Sequence, residues 1–175
     1  MRPGVVALVV VLLTAVAPPA QAGHGSKASS GDPDNGIHRM DRHSLTSLGD
    51  SAAVRGRDQL NRADDMTATF EGSGDVDIYD ADYGNTSWFG RTSCPDGVNW
   101  LTGNCDVFKV QFNTRTMTGR SAGDWLSLGC HELGHTAGLG HRAASNDVDD
   151  NSCMRSEIWP RSFDGHDIDA INAAV

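Results

Sequence analysis

The chain has 175 residues, which is the usual size of one folded domain. It carries 14 Lys and Arg against 23 Asp and Glu, so its formal net charge is −9 at pH 7. Nucleic acid is disfavoured as a partner, because binding to phosphates needs clustered basic side chains. The acidity suits a soluble extracellular protein, which we expect to be a monomer.

The N-terminal residues have the parts of a secretory signal peptide. Arg2 supplies a basic end, residues 5–17 are apolar apart from Thr14, and Ala20-Gln21-Ala22 matches a small-residue cleavage site. We therefore predict a signal peptide over residues 1–22 and a secreted product that is free of the membrane after cleavage. A membrane anchor is the alternative, although the apolar run is short for a bilayer span.

The next segment, residues 23–46, is polar and rich in Gly and Ser at its start. This composition predicts a flexible linker or a short propeptide. A first edge strand could begin at Ile37, but the apolar pattern there is poor. We expect His38 and His43 to be solvated rather than metal-binding, and we place the folded domain in residues 47–175.

Periodicity in that domain predicts a helix followed by four strands. Asp50 or Ser51 can cap the helix, which is expected to run to about Asp64. The strands are expected at residues 66–70, 76–79, 85–92 and 107–112. Ser121 and Asp124 then resemble a capping box that begins a second helix. This succession of elements predicts an α+β domain.

The second helix carries the most informative motif, because residues 130–141 contain H-E-x-x-H-x-x-G-x-x-H. Residues i and i+4 share a helix face, so His131 and His135 can direct their imidazoles at one point. A continuing helix would carry His141 away, but Gly138 tolerates positive φ and can reverse the chain. Three imidazoles with an open fourth position are typical of a catalytic zinc site, although other first-row ions fit the same ligands.

Glu132 has a different role, because it follows His131 directly and points elsewhere on the helix. We expect its carboxylate beside the metal-bound water rather than on the metal. Zinc lowers the pKa of that water, so Glu132 can take its proton and later pass it to a leaving amine. These residues predict hydrolysis of peptide bonds with Glu132 as the general base.

This constellation resembles the metzincin clan of zinc peptidases. The resemblance rests on the motif residues and on Met154, which is similar to the methionine of the Met-turn beneath the zinc ligands. It implies that residues 47–175 are a catalytic metallopeptidase domain of the zincin type. Such a domain has a small twisted mixed sheet, a long zinc-binding helix, the Met-turn and a C-terminal helix.

Within the clan, the chain is similar to two families. Residues 163–171 resemble the last helix of matrixins, and the small size resembles the snapalysins, which use aspartate where this chain has His141. The resemblance implies that substrate pairs as an extra strand with an edge within residues 85–92. It also implies that residues 156–160 wall the pocket for the residue after the cut, where Trp159 either lines the pocket or belongs to the core.

The chain has four cysteines, and export favours two disulfides, for which three pairings exist. Cys94 and Cys105 bracket one irregular segment. A Met-turn under the zinc would bring Cys153 close to Cys130, so the resemblance favours the pairs Cys94–Cys105 and Cys130–Cys153. The alternative is a cysteine ligand to zinc, although three histidines already suffice.

We therefore expect a secreted endopeptidase with one catalytic zinc ion and with proteins or peptides as substrates. Two alternatives are a secreted zinc-binding module without catalysis and a zinc amidase that acts on cell-wall peptides. Calcium is a further candidate cofactor, in the acidic loop at residues 147–151 or along the aspartates of residues 75–82. Solvated side chains are the simpler expectation at both places.

Overall fold

The structure of the protein is a computed structural model that describes residues 30–142, 151–156 and 161–175. The strands are β1 (Asp32–Pro33), β2 (Ile37–His43), β3 (Thr67–Phe70), β4 (Val76–Ala81), β5 (Gly90–Ser93), β6 (Asn104–Cys105) and β7 (Phe108–Asn113). The helices are α1 (Ser47–Leu60), α2 (Ala122–Thr136) and α3 (Gly165–Ala174). The expected signal peptide, the acidic residues 147–150 and Trp159 lie outside the described residues. Within the described part, no helix is both long and apolar enough to cross a membrane.

Five of the strands form one mixed sheet, in the order β3-β2-β4-β7-β5. The pairs β2–β3, β2–β4 and β4–β7 are parallel, whereas β5 runs antiparallel to β7. Strands β1 and β6 pair separately. The predicted α+β class and the small mixed sheet are confirmed, and β5 is an edge strand.

Strand β2 corrects two expectations about the start of the domain. It lies between β3 and β4, so it is an interior strand and not an edge strand. Residues 32–43, which were expected in a flexible linker, therefore belong to the folded domain. The apolar pattern of β2 is poor because one of its buried positions is occupied by His38, which is only 1% exposed. A buried polar group needs a partner, and His38 Nε2 donates to the carbonyl of Thr136 at 3.1 Å.

Helix α1 begins earlier than predicted. Its N-cap is Thr46, whose Oγ1 accepts a hydrogen bond from the amide of Gly49 at 3.1 Å. The carboxylate of Asp80 accepts from the amide of Thr46 at 2.9 Å and from its hydroxyl at 2.6 Å. This contact across 34 residues selects Thr46 over the predicted caps, and the helix ends at Leu60 rather than near Asp64.

The other predicted strands are present with shifted ends, and the largest shift is in the segment 85–92. There the strand is confined to Gly90–Ser93, so Trp88 and Phe89 precede it. The side-chain amide of Asn113 donates to the carbonyl of Gly84 and to the hydroxyl of Thr86. These bonds hold the residues before Gly90 in a loop, so β5 begins later in the chain than predicted.

The two long helices pack against each other and against one face of the sheet. The buried apolar side chains of that face include Met40, Val76, Ile78, Phe108, Val110 and Phe112. A Cβ atom at Gly129 of α2 would overlap the backbone carbonyl of Ala52 in α1. Because Gly129 has no side chain, the two backbones approach closely and the position of α2 is set by α1.

Both predicted disulfides are present. Cys94–Cys105 links the end of β5 to β6, and Cys130–Cys153 links α2 to the turn that contains Met154. All four cysteines lie in the described residues and none is free, so the alternative of a cysteine ligand to zinc is wrong.

The contact between α1 and α2 predicts that Gly129→Ala destabilises the fold. Alanine raises helix propensity by about 1 kcal/mol, but the overpacked backbone contact should lower the free energy of unfolding by about 1–3 kcal/mol. Urea unfolding measures the difference. Gly165→Ala in α3 is the matched control, because nothing lies within 4 Å of its added Cβ. Equal stability of the two variants would contradict the prediction.

Candidate metal centre

Helix α2 begins with the predicted capping box. The hydroxyl of Ser121 accepts from the amide of Asp124 at 3.2 Å, and the carboxylate of Asp124 accepts from the amide of Ser121 at 3.0 Å. These bonds satisfy amides that the first turn of a helix leaves without partners. The helix then runs unbroken through His131 and His135, which lie one turn apart on one face.

The helix ends in the predicted left-handed turn at Gly138, where φ is +80°. The amide of Leu139 donates to the carbonyl of Gly134 at 3.2 Å, and the amide of Gly138 donates to the carbonyl of His135 at 3.3 Å. This pair of bonds is a Schellman motif, which closes the helix and reverses the chain. The reversal returns His141 to the face that carries the other two histidines.

The three imidazoles converge on one point. The Nε2 atoms of His131 and His135 are 3.2 Å apart, those of His135 and His141 are 3.2 Å apart, and those of His131 and His141 are 3.1 Å apart. The structure therefore brings together all three of the histidines that the motif singled out.

Hydrogen bonds at the other ring nitrogens fix which nitrogen carries the proton. His131 Nδ1 lies 2.7 Å from the carbonyl oxygen of Cys153, and His135 Nδ1 lies 2.7 Å from that of Leu139. A carbonyl only accepts, so both Nδ1 atoms donate and the Nε2 atoms of the neutral rings present lone pairs. Burial, with neighbouring imidazoles, lowers the pKa of His131 to about 3 and that of His135 to about 4. Both rings are therefore neutral near pH 7.

This arrangement fits a bound cation. Tetrahedral zinc with Zn–N distances of 2.0–2.1 Å requires ligand nitrogens about 3.3 Å apart. The observed separations of 3.1–3.2 Å are close to that value. Lone pairs that face one another at such distances repel unless a positive charge lies between them. The cluster of His131, His135 and His141 can therefore hold a metal ion.

A turn at residues 152–155 supports the histidines from beneath. Met154 is fully buried, and a Cβ atom at Gly134 would overlap its sulfur, so the methionine packs directly against the turn of α2 between the two helical histidines. The amide of Met154 donates to the hydroxyl of Ser152 at 2.9 Å. The turn therefore packs against the part of α2 that lies between the two histidines.

The residue after His141 is anchored to the same turn. The amide of Arg142 donates to the carbonyl of Met154 at 2.9 Å. Its guanidinium forms an ion pair with Asp164, the N-cap of α3, and lies 3.6 Å from Asp167. These contacts fix the returning chain on both sides, so His141 is held by the backbone next to it.

Glu132 lies beside the cluster with its carboxylate buried. The side chain is held by β5, where the hydroxyl of Thr92 lies 2.9 Å from Glu132 Oε2 and 2.8 Å from the Glu132 carbonyl oxygen. A Cβ atom at Gly90 would lie 2.5 Å from Glu132 Oε1, so this close approach requires glycine. Burial raises the pKa of Glu132 to about 8, and the hydrogen bond from Thr92 acts in the opposite direction. A cation in the neighbouring cluster would favour the charged carboxylate.

A cleft of about 250 Å³ opens in front of these groups. Its walls come from the segment before and at the start of β5, from α2, from His141 and from the turn after Met154. The lining residues are Ser87, Trp88, Phe89, Gly90, Ser127, Leu128, His131, Glu132, His141, Arg155 and Ser156. The carboxylate, two imidazoles and the sheet edge therefore share one concave surface, which is the usual setting of a ligand site.

Thr92, Gly90 and His38 were not recognised as site-supporting residues from the sequence. Thr92 lies within a predicted strand, but its contact with Glu132 spans 40 residues and depends on where the sheet edge meets the helix. The carbonyl to which His38 donates is in the last turn of α2, 98 residues away. No local pattern marks either contact.

The aspartates of residues 75–82 do not form the calcium cage considered from the sequence. Asp75 accepts from the amide of Arg39, Asp80 accepts from the amide of the N-cap Thr46, and Asp82 accepts from the amide of Gly84 at 2.8 Å. Three of the four carboxylates are therefore directed at separate protein donors. The other calcium candidate falls mostly on residues 147–150, outside the described part of the chain.

Comparison with known proteins finds similarity at the level of the fold. Comparison of the sequence with family profiles and with curated proteins finds no match. A solved structure of myroilysin superposes with a TM-score of 0.53 at 14% identity, covering 85% of this chain and 97% of that one. A second myroilysin structure gives a TM-score of 0.53 at 12% identity, with coverages of 89% and 92%. The likeness supports a metalloprotease-type fold for this chain.

The geometry predicts that Zn²⁺ binds to all three Nε2 atoms. In a titration of the metal-free protein with Zn²⁺, the imidazole ¹⁵N resonances of His131, His135 and His141 should shift together. His135→Ala should weaken this binding at least about 100-fold, since losing even an outer partner of a ligand costs about 10–100-fold. His166→Gln, a change at an exposed histidine of α3, is the control. Unchanged Nε2 resonances at saturating Zn²⁺ would contradict the prediction.

Proposed function

We propose that the protein is a secreted zinc-dependent endopeptidase. The observation that carries this proposal is the convergence of three Nε2 atoms beside the buried carboxylate of Glu132, at the wall of a cleft bordered by an open sheet edge. Three imidazoles bind a cation, a carboxylate transfers protons, and a sheet edge binds an extended polypeptide. Each of the three groups is needed for metal-assisted hydrolysis of a peptide bond.

Zinc is the metal that this ligand set fits best. His131, His135 and His141 would hold it through Nε2, because imidazole nitrogen in a tetrahedral set is a preferred environment for zinc. When bound, zinc supplies the Lewis acidity that activates water and polarises the scissile carbonyl. The shared fold with myroilysin supports a protease-like scaffold around these ligands.

Glu132 would act as general base and then as general acid. Its neighbour Thr92 and the absence of a side chain at Gly90 hold the carboxylate against the cleft, next to the histidine cluster. From there it can accept a proton from the attacking water and deliver that proton to the leaving amine. A site that only stored metal would have no use for a buried carboxylate held at this position.

Strand β5 would bind the substrate. Among the described residues it pairs with β7 alone, so its other edge can accept an extended peptide as an added strand. The same strand carries Gly90 and Thr92, which contact Glu132. A peptide paired with β5 would therefore lie within reach of the general base.

Digestion of a complex peptide mixture, followed by mass spectrometry, tests the proposed activity. We expect internal cleavage that stops on addition of a chelator and returns on addition of Zn²⁺. If the protein cleaves only amide bonds in cell-wall peptides, it is an amidase that uses the same chemistry. If the protein binds zinc stoichiometrically but cleaves no peptide, it is a metal-binding module and not an enzyme.

Glu132→Gln tests the proton transfer separately from metal binding. The substitution preserves the shape and the hydrogen bond to Thr92 but removes the basic carboxylate. We expect unchanged zinc content and a fall in kcat/KM of about 10²–10⁴-fold, the usual contribution of general acid–base catalysis. Zinc analysis and steady-state kinetics on one peptide provide the two measurements. Near-normal turnover by the variant would remove Glu132 from the mechanism.

Thr92 should act as a positioning residue for Glu132. Thr92→Val keeps the side-chain shape but removes the hydroxyl, and a hydrogen bond to a charged group contributes about 1.5–3 kcal/mol. We expect kcat to fall by about tenfold or more at nearly constant KM, because the backbone of β5 remains intact. Thr92→Ser should restore most of kcat. Equal impairment of the valine and serine variants would show that packing, and not the hydroxyl, matters.

A further inference from the structure

The sheet carries a second convergent set of metal-ligating side chains, distant in sequence from the histidine motif. Asp41 and His43 lie on β2 and Asp77 lies on β4. They alternate along their strands with Met40, Val76 and Ile78, which are buried beneath the helices. Because successive side chains of a strand point to opposite faces, the three residues lie on the sheet face away from the helices.

The distances bring their ligand atoms to one place. His43 Nε2 is 2.9 Å from Asp77 Oδ1 and 3.6 Å from Asp41 Oδ2. Asp41 and Asp77 are directly opposite each other in the parallel pairing of β2 and β4. One ligand atom from each of the three residues lies within 4.8 Å of the other two.

The charges at this place call for a cation. Like charges directly opposite each other on paired strands destabilise a sheet. The arginines of β2 pair with other carboxylates, Arg39 with Asp75 and Arg42 with Asp50. Lys109 of β7 is directly opposite Asp77, and its ammonium lies over the ring of Tyr79. Among the ion pairs of the described residues, the imidazole of His43 is the group that contacts both Asp41 and Asp77.

The imidazole is also held in one orientation. The rings of His43 and Tyr79 are stacked, with centroids 4.3 Å apart and an interplanar angle of 5°. The side chains of Asp41, His43 and Asp77 remain 27%, 35% and 35% exposed. An ion can therefore reach the preformed ligand atoms and complete its coordination with water.

We propose that Asp41, His43 and Asp77 form a second metal site that binds a first-row divalent cation of the zinc type. One imidazole with two carboxylates suits zinc, whereas calcium and magnesium take oxygen ligands. The ion neutralises the paired carboxylates and cross-links β2 to β4. It lies on the sheet face away from the helices, so turnover at the histidine cluster does not depend on it.

Zinc content of the full chain at a buffered free Zn²⁺ concentration tests this site. The wild type should hold two equivalents per chain, and Asp77→Asn and His43→Gln should each hold one while keeping full peptidase activity. His135→Ala should also hold one, with its activity lost. Asp58→Asn, a change at an exposed carboxylate that pairs with Arg57, is the matched control and should hold two.

Two outcomes of the zinc analysis would overturn the second site. One is a single equivalent in the wild type that Asp77→Asn and His43→Gln both retain, which would mean that the three residues bind no ion. The other is two equivalents in both Asp77→Asn and His43→Gln, which would place the second ion elsewhere. If a variant fails to fold, the wild type decides alone, because Zn²⁺ should shift the ¹⁵N resonance of His43 Nε2 and an equal concentration of Ca²⁺ should not. An unchanged His43 resonance would also overturn the site, whatever the state of the histidine cluster.

Discussion

Three imidazole lone pairs held 3.1–3.2 Å apart repel one another, and much of the structure around α2 serves to hold them there. The carbonyl groups of Cys153 and Leu139 accept the Nδ1 protons of His131 and His135, so the lone pairs are directed inward. Each carbonyl is itself fixed, one by the disulfide to Cys130 and the other by the Schellman turn. The positions of these two carbonyls therefore prepare the site for a cation.

Close backbone approach at three glycines places the other layers around this centre. Gly129 lets α1 contact α2, Gly134 lets Met154 pack beneath the histidines, and Gly90 lets β5 lie against Glu132. Two of these glycines are in the interior of a helix, where each costs about 1 kcal/mol of helix propensity relative to alanine. Tertiary contact with α1 at Gly129 and with Met154 at Gly134 offsets that cost. Helix α2 is therefore positioned both by its glycines and by the hydrogen bonds of His131 and His135.

The two faces of the sheet have different chemistry. One face is covered by α1 and α2 and ends at the cleft beside β5, so it joins the core to the proposed catalytic groups. The other face carries Asp41, His43 and Asp77 with partly exposed side chains. A cation there would act on the pairing of β2 with β4, in the middle of the sheet, and thus on the stability of the domain. Metal dependence of stability and metal dependence of turnover would then arise at separate sites.

Features that depend on a few neighbouring residues were predictable from the sequence. The capping box at Ser121, the helical pair of His131 and His135, and the reversal at Gly138 are local, because they follow from helix geometry and from the conformational freedom of glycine. The disulfide pairs could not be predicted from local pattern alone, since they were inferred through the family resemblance and not from spacing.

Contacts between distant segments were decided only by the tertiary structure. The interior position of β2, the capping of α1 by Thr46 and the hold of Thr92 on Glu132 each depend on strand order or register. His38 shows the reason most clearly, since a histidine in a segment with a poor apolar pattern predicts exposure, and its partner is a carbonyl 98 residues away. The sequence by itself predicted the three histidines that converge in the structure, but not the second cluster of Asp41, His43 and Asp77. The packing of β5 and of the Met154 turn against α2 determined how the three histidines and Glu132 are held, because hydrogen bonds across long sequence separations have no local pattern.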